Sequence, residues 1–445
     1  MPSTSEVVLL QKIIQNIKIE PPSARVWTEN DLYTLGMVTG KLSSAGIVGI
    51  RREASEALSE LADRFFSNPI YQRGVTFLIF KKALTDVLIF EYGDKVGKAV
   101  DGNDVENIKA RIAVWFDGQK GNHEFYIPCF IAPYYASTFS IGPIEFTYIQ
   151  EFANFANSQP QGVFEVAYSP FLQEMARRSA NWIAKVSVQD CTQERAQEIG
   201  SLAVDLAIGS LQLFLIEDEC RHMARLTGRT MPVFSHTLSR KNGNLSTASV
   251  NSEPGRLFGP GYLDQRLLEA KAIVDSTGKR VSAYLEGSQI LPSLEQAWAD
   301  ATYWFHEGLA EPLDTIAVPK LETAIEVLLR SESTRGSKQR VVKAIQVFYG
   351  KKADEFINPH SQTTVKQFAK RFVEDRSRIL HGTWSTLNHS LRGSRSSLTM
   401  VARDFLIYYS VFLDKYLVSQ MPSDDIENFL NFIEGSQQSS TSAGL

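Results

Sequence analysis

"TVKQFAKRFVEDRSRILHG" occupies residues 364–382. Its apolar residues recur every three or four positions, the spacing that places them on one face of a helix. Gly382 then supplies the usual stop. Four neighbouring stretches have the same texture: "LEQAWADATYWFHEGLAE" (294–311), "PKLETAIEVLLRSES" (319–333), "KQRVVKAIQVFYGKK" (338–352) and "LTMVARDFLIYYSVFLDKYLVSQM" (398–421). Short polar connections join them, so this third of the chain is predicted to form a compact all-α bundle over residues 291–435. The end, "EGSQQSSTSAGL", is low in complexity, and a disordered tail is expected over 436–445.

The other segments read differently. "EVVLLQKIIQNIK" (6–18) and "RREASEALSELADRFFSN" (51–68) have helical spacing. Then come stretches rich in β-branched and aromatic residues: "VTFLIFKKALTDVLIFEYG" (75–93), "ARIAVWFDG" (110–118), "HEFYIPCFIAPYYAS" (123–137), "PIEFTYIQEF" (143–152) and "GVFEVAY" (162–168). Polar breaks such as "DGND" and "DGQKGN" separate them, so strands are predicted, the first being equally compatible with a helix. From Ser169 the text is helical again, through "SPFLQEMARRSANWIAKV" and the long run 192–226. "SRKNGNLSTASVNSEPG" (239–255) reads as a mobile polar loop. The expectation is an α+β protein. A mixed, sheet-containing domain over 1–168 and a mainly helical middle over 169–290 precede the bundle.

Composition bounds the function classes. The chain has 445 residues, 43% hydrophobic and 22% charged, which is ordinary for a globular protein of two or three domains. No apolar run approaches the roughly 18 residues of a membrane helix, so no membrane partner is expected. The start, "MPSTSEVVLL", lacks the basic region of a secretory signal. Cys129, Cys191 and Cys220 are odd in number and far apart, without a CxxC, and read as reduced thiols in a cytoplasmic protein. The net charge is −4, but Arg330 to Arg403 holds 15 Lys and Arg against 5 Asp and Glu, a local +10. Such a segment is a candidate polyanion surface; the plainer alternative is a solvated basic face.

Within it, Arg376 is followed after four residues by His381. Chance predicts roughly one Arg-(four to six residues)-His match in such a chain. Two occur, the other being Arg229 with His236, where Pro232 breaks any helix and which we treat as the accident. A His at a helix end, with an ordinary pKa near 6.5, can take and give a proton. An Arg offers a permanent charge and a forked donor for phosphate. Together they suffice for RNA cleavage, in which a ribose 2′-hydroxyl attacks the adjacent phosphate.

With its signature "RSRILHG" (376–382), the final third resembles the HEPN domain, in particular its Apea-like branch. The resemblance covers residues 294 to 421. It includes an aromatic helix "ADATYWFHEGL", a helix "LETAIEVLL", a basic helix, the signature and a closing apolar helix, in that order. It implies a metal-independent endoribonuclease without cofactor, of the kind serving antiviral defence, abortive infection or toxin–antitoxin pairs. It also implies a homodimer or larger assembly that sets two Arg/His motifs face to face. Carried over by position, Arg376 and His381 are the catalytic pair. Ser377 is the small polar residue after the Arg, Glu326 the acidic position of the earlier helix, and Arg378 stands where Lys is commoner. Arg330, Arg335, Lys338 and Arg340 in "RSESTRGSKQR" are candidate RNA-backbone contacts, or simply solvated. The acidic N-terminal region is expected to regulate, through a regulatory protein or a phage-derived trigger. The alternative is a non-catalytic module for assembly or for nucleotide or RNA binding. In it Arg376 is a structural ion-pair partner of Asp375 or Glu374, and His381 a helix cap.

Other motifs carry less. "EDECRH" (217–222) mixes potential metal ligands but reads as a solvated helix end. The Gly-Pro-Gly of "RLFGPGYLD" reads as a turn, His123 and His360 lie in expected turns, and Trp304 and Phe305 are expected in the core.

Overall fold

The computed structural model describes residues 4–20, 36–43, 46–95, 97–227, 234–331, 333–357, 363–419 and 422–442. It is α+β, with 63% helix and 15% strand, its sheets towards the N-terminal half and helices in the C-terminal part. No described helix is long and apolar enough to cross a membrane. The chain divides into two compact units, Met1–His123 with Ser187–Ile199, and Glu124–Val186 with Gly200–Leu445.

The first unit opens with α1 (Thr4–Gln15), β1 (Ile17–Glu20), β2 (Met37–Ser43) and β3 (Gly46–Arg51). The strands form an antiparallel sheet of order β1-β3-β2. Then come α2 (Ser55–Phe66), α3 (Pro69–Gly74), α4 (Phe77–Tyr92) and α5 (Gly102–Gln119). The expected strand at 110–118 is therefore helical, and the stretch at 75–93, open to either reading, is a helix. Residues 75–93 form α4, burying Phe80, Leu84 and Leu88. Residues 110–118 belong to α5, because "DGND" is not a break but a start. Asp101 and Asp104 cap each other's backbone there in a capping box. Over this longer window Val105, Ile108, Ile112 and Phe116 keep helical spacing.

β4 (Gly121–Phe130), β5 (Phe139–Ile141), β6 (Ile144–Tyr148), β7 (Trp182–Cys191) and β8 (Ala224–Arg225) make a five-stranded sheet of order β5-β6-β7-β4-β8. Between β6 and β7 lie α6 (Ile149–Asn157) and α7 (Ser169–Arg178). "GVFEVAY" is not a strand: Gln161–Val163 and the π-helical turn Phe164–Tyr168 run into α7. None of these side chains is buried, so nothing selects an alternating face. The helix expected over 169–186 stops early. Ser179 adopts left-handed φ +58, and "WIAKV" continues as β7, burying Trp182, Ala184, Val186 and Val188.

α8 (Gln193–Gln212) follows. The expected loop at 239–255 is largely a hairpin, β9 (Phe234–Lys241) and β10 (Asn244–Asn251). Asn242 and Gly243 have φ +49 and +85, the two-residue turn that Asn-Gly favours. Every residue of both strands is exposed. α9 (Tyr262–Glu269) and α10 (Lys271–Glu286) lead towards the bundle. A Cβ on Gly142, at φ +57, would sit 2.2 Å from the Gly278 carbonyl oxygen. Only glycine lets the β5–β6 turn meet α10 so closely.

The bundle is α11 (Pro292–Ala310), α12 (Asp314–Leu328), α13 (Thr334–Tyr349), α14 (Val365–Leu380), α15 (Arg392–Leu417) and α16 (Ile426–Ser442). α16 thus extends well into the stretch expected to be disordered. Trp298 and Phe305 of α11, Leu321 and Ile325 of α12, and Phe405 and Tyr409 of α15 form the centre, all within 0% exposure. Phe305 is core as expected, whereas Trp304 is 36% exposed, being one position round the helix. Asp424 caps α11 from outside, accepting from the Ser293 and Leu294 amides at 2.8 and 2.9 Å.

Candidate functional site

α14 places the motif. Val365, Phe368, Ala369, Phe372, Asp375 and Ile379 form its buried stripe. Arg376, next to Asp375, is half-buried, and its side chain reaches α12, where it pairs with Glu326. This corrects the expected partners Asp375 and Glu374. Adjacent residues on a helix diverge, while a packed neighbouring helix offers its carboxylate directly. Glu374 instead pairs with Lys370 at 3.6 Å and Arg378 at 3.8 Å. His381 is the last residue of the helix turn. Its amide donates to the Ser377 carbonyl at 3.0 Å, and Gly382 reverses the chain at φ +70.

Arg376, Ser377 and His381 line one cavity of about 310 Å³ with Glu326, Ser331, Ser333 and Ser337. Val373 and Leu380 complete the wall. Ser333 and Ser337 come from the start of α13, and Ser331 lies just before it. Ser333 caps that helix, accepting from the Gly336 amide at 3.2 Å, and the Ser337 hydroxyl donates to the Ser333 carbonyl at 3.0 Å. The Ser331 hydroxyl is buried without a partner among the described residues. These serines were not among the expected site residues; their only signal in the sequence is a Ser-rich helix start within the basic loop.

Beneath Arg376, one turn before Glu326 on α12, lies Glu322. It is fully buried, and neither carboxyl oxygen has a hydrogen-bond partner among the described residues. Burial, with Asp375 nearby, pushes its carboxyl well above the usual range, against the pull of Arg376. Burial thus favours the neutral form of Glu322 over its carboxylate. Asp375 accepts from the Ser394 hydroxyl at 2.7 Å.

The remaining expected residues are divided. Arg378 does not line the cavity. Its guanidinium lies 4.9 Å from the Trp384 ring centre, and Trp384 stacks on His389. Arg340 is occupied: it donates to the Leu329 and Arg330 carbonyls and pairs with Glu427 at 3.2 Å, closing the end of α12. Arg330 is exposed, and Arg335 and Lys338 on α13 make no ion pair among the described residues.

Elsewhere, Arg229 and His360 lie outside the described residues, and His236 is in the exposed hairpin. His123 is in β4 rather than a turn, 3.0 Å from the Cys191 carbonyl. Gly259 and Gly261 have φ +68 and +76, as a Gly-Pro-Gly turn requires. All three cysteines are unpaired and buried. No group of three or more metal-ligating side chains occurs among the described residues.

The site thus offers an exposed imidazole, a half-buried guanidinium, hydroxyls and the positive end of α13, facing one hollow. That set suits a phosphate with a transferable proton beside it. No protein family, curated protein or solved structure matched the chain.

Proposed function

We propose that this protein is a metal-independent endoribonuclease of HEPN type, acting as a homodimer or larger assembly. The observation that carries the reading is the placement of Arg376 and His381 in one solvent-open cavity at the end of α14. His381 accepts the 2′-hydroxyl proton as that oxygen bonds to phosphorus, and the bond to the 5′-oxygen breaks. The proton ends on the departing oxygen, leaving a 2′,3′-cyclic phosphate and a 5′-hydroxyl. A dimer facing two motifs together supplies a second imidazole for that last transfer. Arg376 neutralises the phosphate charge through the donors that Glu326 leaves free. In this proposal the protein is a defence or toxin effector in the cytoplasm. Its N-terminal region restrains it until a regulatory protein or phage-derived trigger acts. The support for that part is the family resemblance and the charge asymmetry alone.

One feature favours a second reading, a module that binds RNA or nucleotide, or assembles, without cleavage: Glu326 already holds Arg376. Wild type and His381→Ala, incubated with total RNA and tRNA in EDTA, separate the two. Wild type is expected to leave cyclic-phosphate ends, and the variant to be slower by about 10²–10⁴. Equal cleavage by both proteins would sink the assignment.

A further inference from the structure

A second hollow, of about 650 Å³, lies between the start of α11 and the end of α12. It shares Glu326 and Ser331 with the Arg376 cavity, so the two are neighbours across one wall. Its other polar side chains include Gln296, Asp300 and Arg330. We infer that this hollow is a guanine-selective nucleotide subsite, seating the base beside the scissile phosphate; the inference rests on the endoribonuclease reading.

The Gln296 amide nitrogen donates to Asp300 Oδ1 at 2.6 Å. That bond uses one of the two amide hydrogens and fixes the amide against Asp300, while its oxygen accepts no hydrogen bond among the described residues and stays available as an acceptor. Asp300 Oδ2 is a second acceptor, one helical turn along the same face. An unpaired RNA base is read on its Watson–Crick edge. Adenine and uracil alternate donor and acceptor there, and cytosine presents one donor beside two acceptors. Guanine alone presents two adjacent donors, N1–H and the 2-amino group, which match two adjacent acceptors. The two cavities also fit the two parts of one nucleotide, with the phosphate towards Arg376 and the base towards Asp300.

Arg330 closes the far side in an unusual way. Its backbone is left-handed, φ +50, a conformation costly for a non-glycine residue. Arg340 holds the Arg330 carbonyl in place and is itself anchored by Glu427. The side chain of Arg330 has no ion pair or hydrogen bond among the described residues, which leaves its fork for a flanking phosphate.

The experiment has a cleavage arm and a binding arm, each run on wild type, Asp300→Asn and Gln296→Ala. In the first, all sixteen dinucleoside monophosphates are digested. In the second, the four nucleoside 5′-monophosphates are titrated calorimetrically. Wild type is expected to favour guanosine about tenfold or more in both arms, as a bidentate base contact does. Asp300→Asn, which replaces an acceptor by a donor, is expected to bring the preference within about twofold. Both side chains are exposed, so unchanged melting temperatures are expected and serve as the folding control. Cleavage that is blind to the base, or a preference that survives both variants, overturns the subsite while leaving the nuclease intact. Selective guanosine binding without any cleavage retires the nuclease and keeps the selectivity. Equal binding of all four monophosphates overturns the subsite whatever the cleavage arm gives.

Discussion

Glu322 and Glu326 stand one turn apart on α12 and have opposite fates. Glu326 meets Arg376 at the cavity wall and is satisfied by it. Glu322 is sealed below, without a hydrogen-bond partner among the described residues. A carboxyl raised by burial favours folding only while protonated. Its contribution is complete below the ordinary value of 4.5 and is lost as pH climbs towards the raised value. Glu322→Gln, a neutral substitute of the same shape, therefore has no advantage over wild type below about pH 4.5. It is expected to become progressively more stable than wild type as pH rises above it. Urea unfolding across pH 4 to 8 measures this, and parallel curves would show that folding leaves the Glu322 carboxyl unshifted. Both acids stand in "LETAIEVLL"; the family resemblance singles out Glu326, but nothing in the spacing shows that Glu322 is the buried one. The difference arises from which one Arg376 reaches.

At the scale of elements, helices were legible where their periodicity ran long and their caps were clear. α14 shows this best: Thr364 accepts from the Gln367 amide at 3.3 Å, while the Gln367 side chain accepts from the Thr364 amide at 3.0 Å. This reciprocal cap starts the helix that carries both Arg376 and His381. Thr364→Ala is expected to lose about 1 kcal/mol of stability, seen as a lower melting midpoint, with the base preference of any cleavage unchanged. A midpoint equal to wild type would mean that packing alone sets the helix start. Failures came where short windows were read by residue type. "ARIAVWFDG" is rich in strand formers, yet belongs to an 18-residue helix whose cap lies nine residues upstream. "WIAKV" looked like the tail of a helix until Ser179 turned the chain. The Asn-Gly at 242–243 was a correct turn signal, but the polar strands beside it gave no alternation to read.

For the whole molecule, the question is how much of the basic segment can meet RNA. Arg340, Lys343, Arg378 and Arg395 are each paired within the fold, to Glu427, Glu427, Glu374 and Asp314. Arg330 and Arg376, which line the two cavities, remain the best candidates, with Arg335 and Lys338 on α13 close to Arg330 in the sequence. Four phosphate contacts predict that log K for single-stranded RNA falls with log salt at a slope of about −3. Filter binding with the His381→Ala protein between 50 and 300 mM salt measures it, and a slope near zero would favour the assembly reading.

The sequence by itself determined the α+β class, the helical bundle and the position of Arg376 and His381 at a helix end before glycine. These are local properties: periodicity, capping and chain reversal are all written within a turn or two of the residues concerned. Tertiary structure decided what surrounds the motif. It brought Glu326, the serines before and within α13, and Asp300 from α11 to adjoining cavities, and it withdrew Arg340 and Arg378 into structural contacts. It also left Glu322 buried, with its carboxyl pushed towards the neutral form. Partners separated by 50 residues or more, as Arg376 is from Glu326, meet only through helix packing, and spacing along the chain carries no record of that.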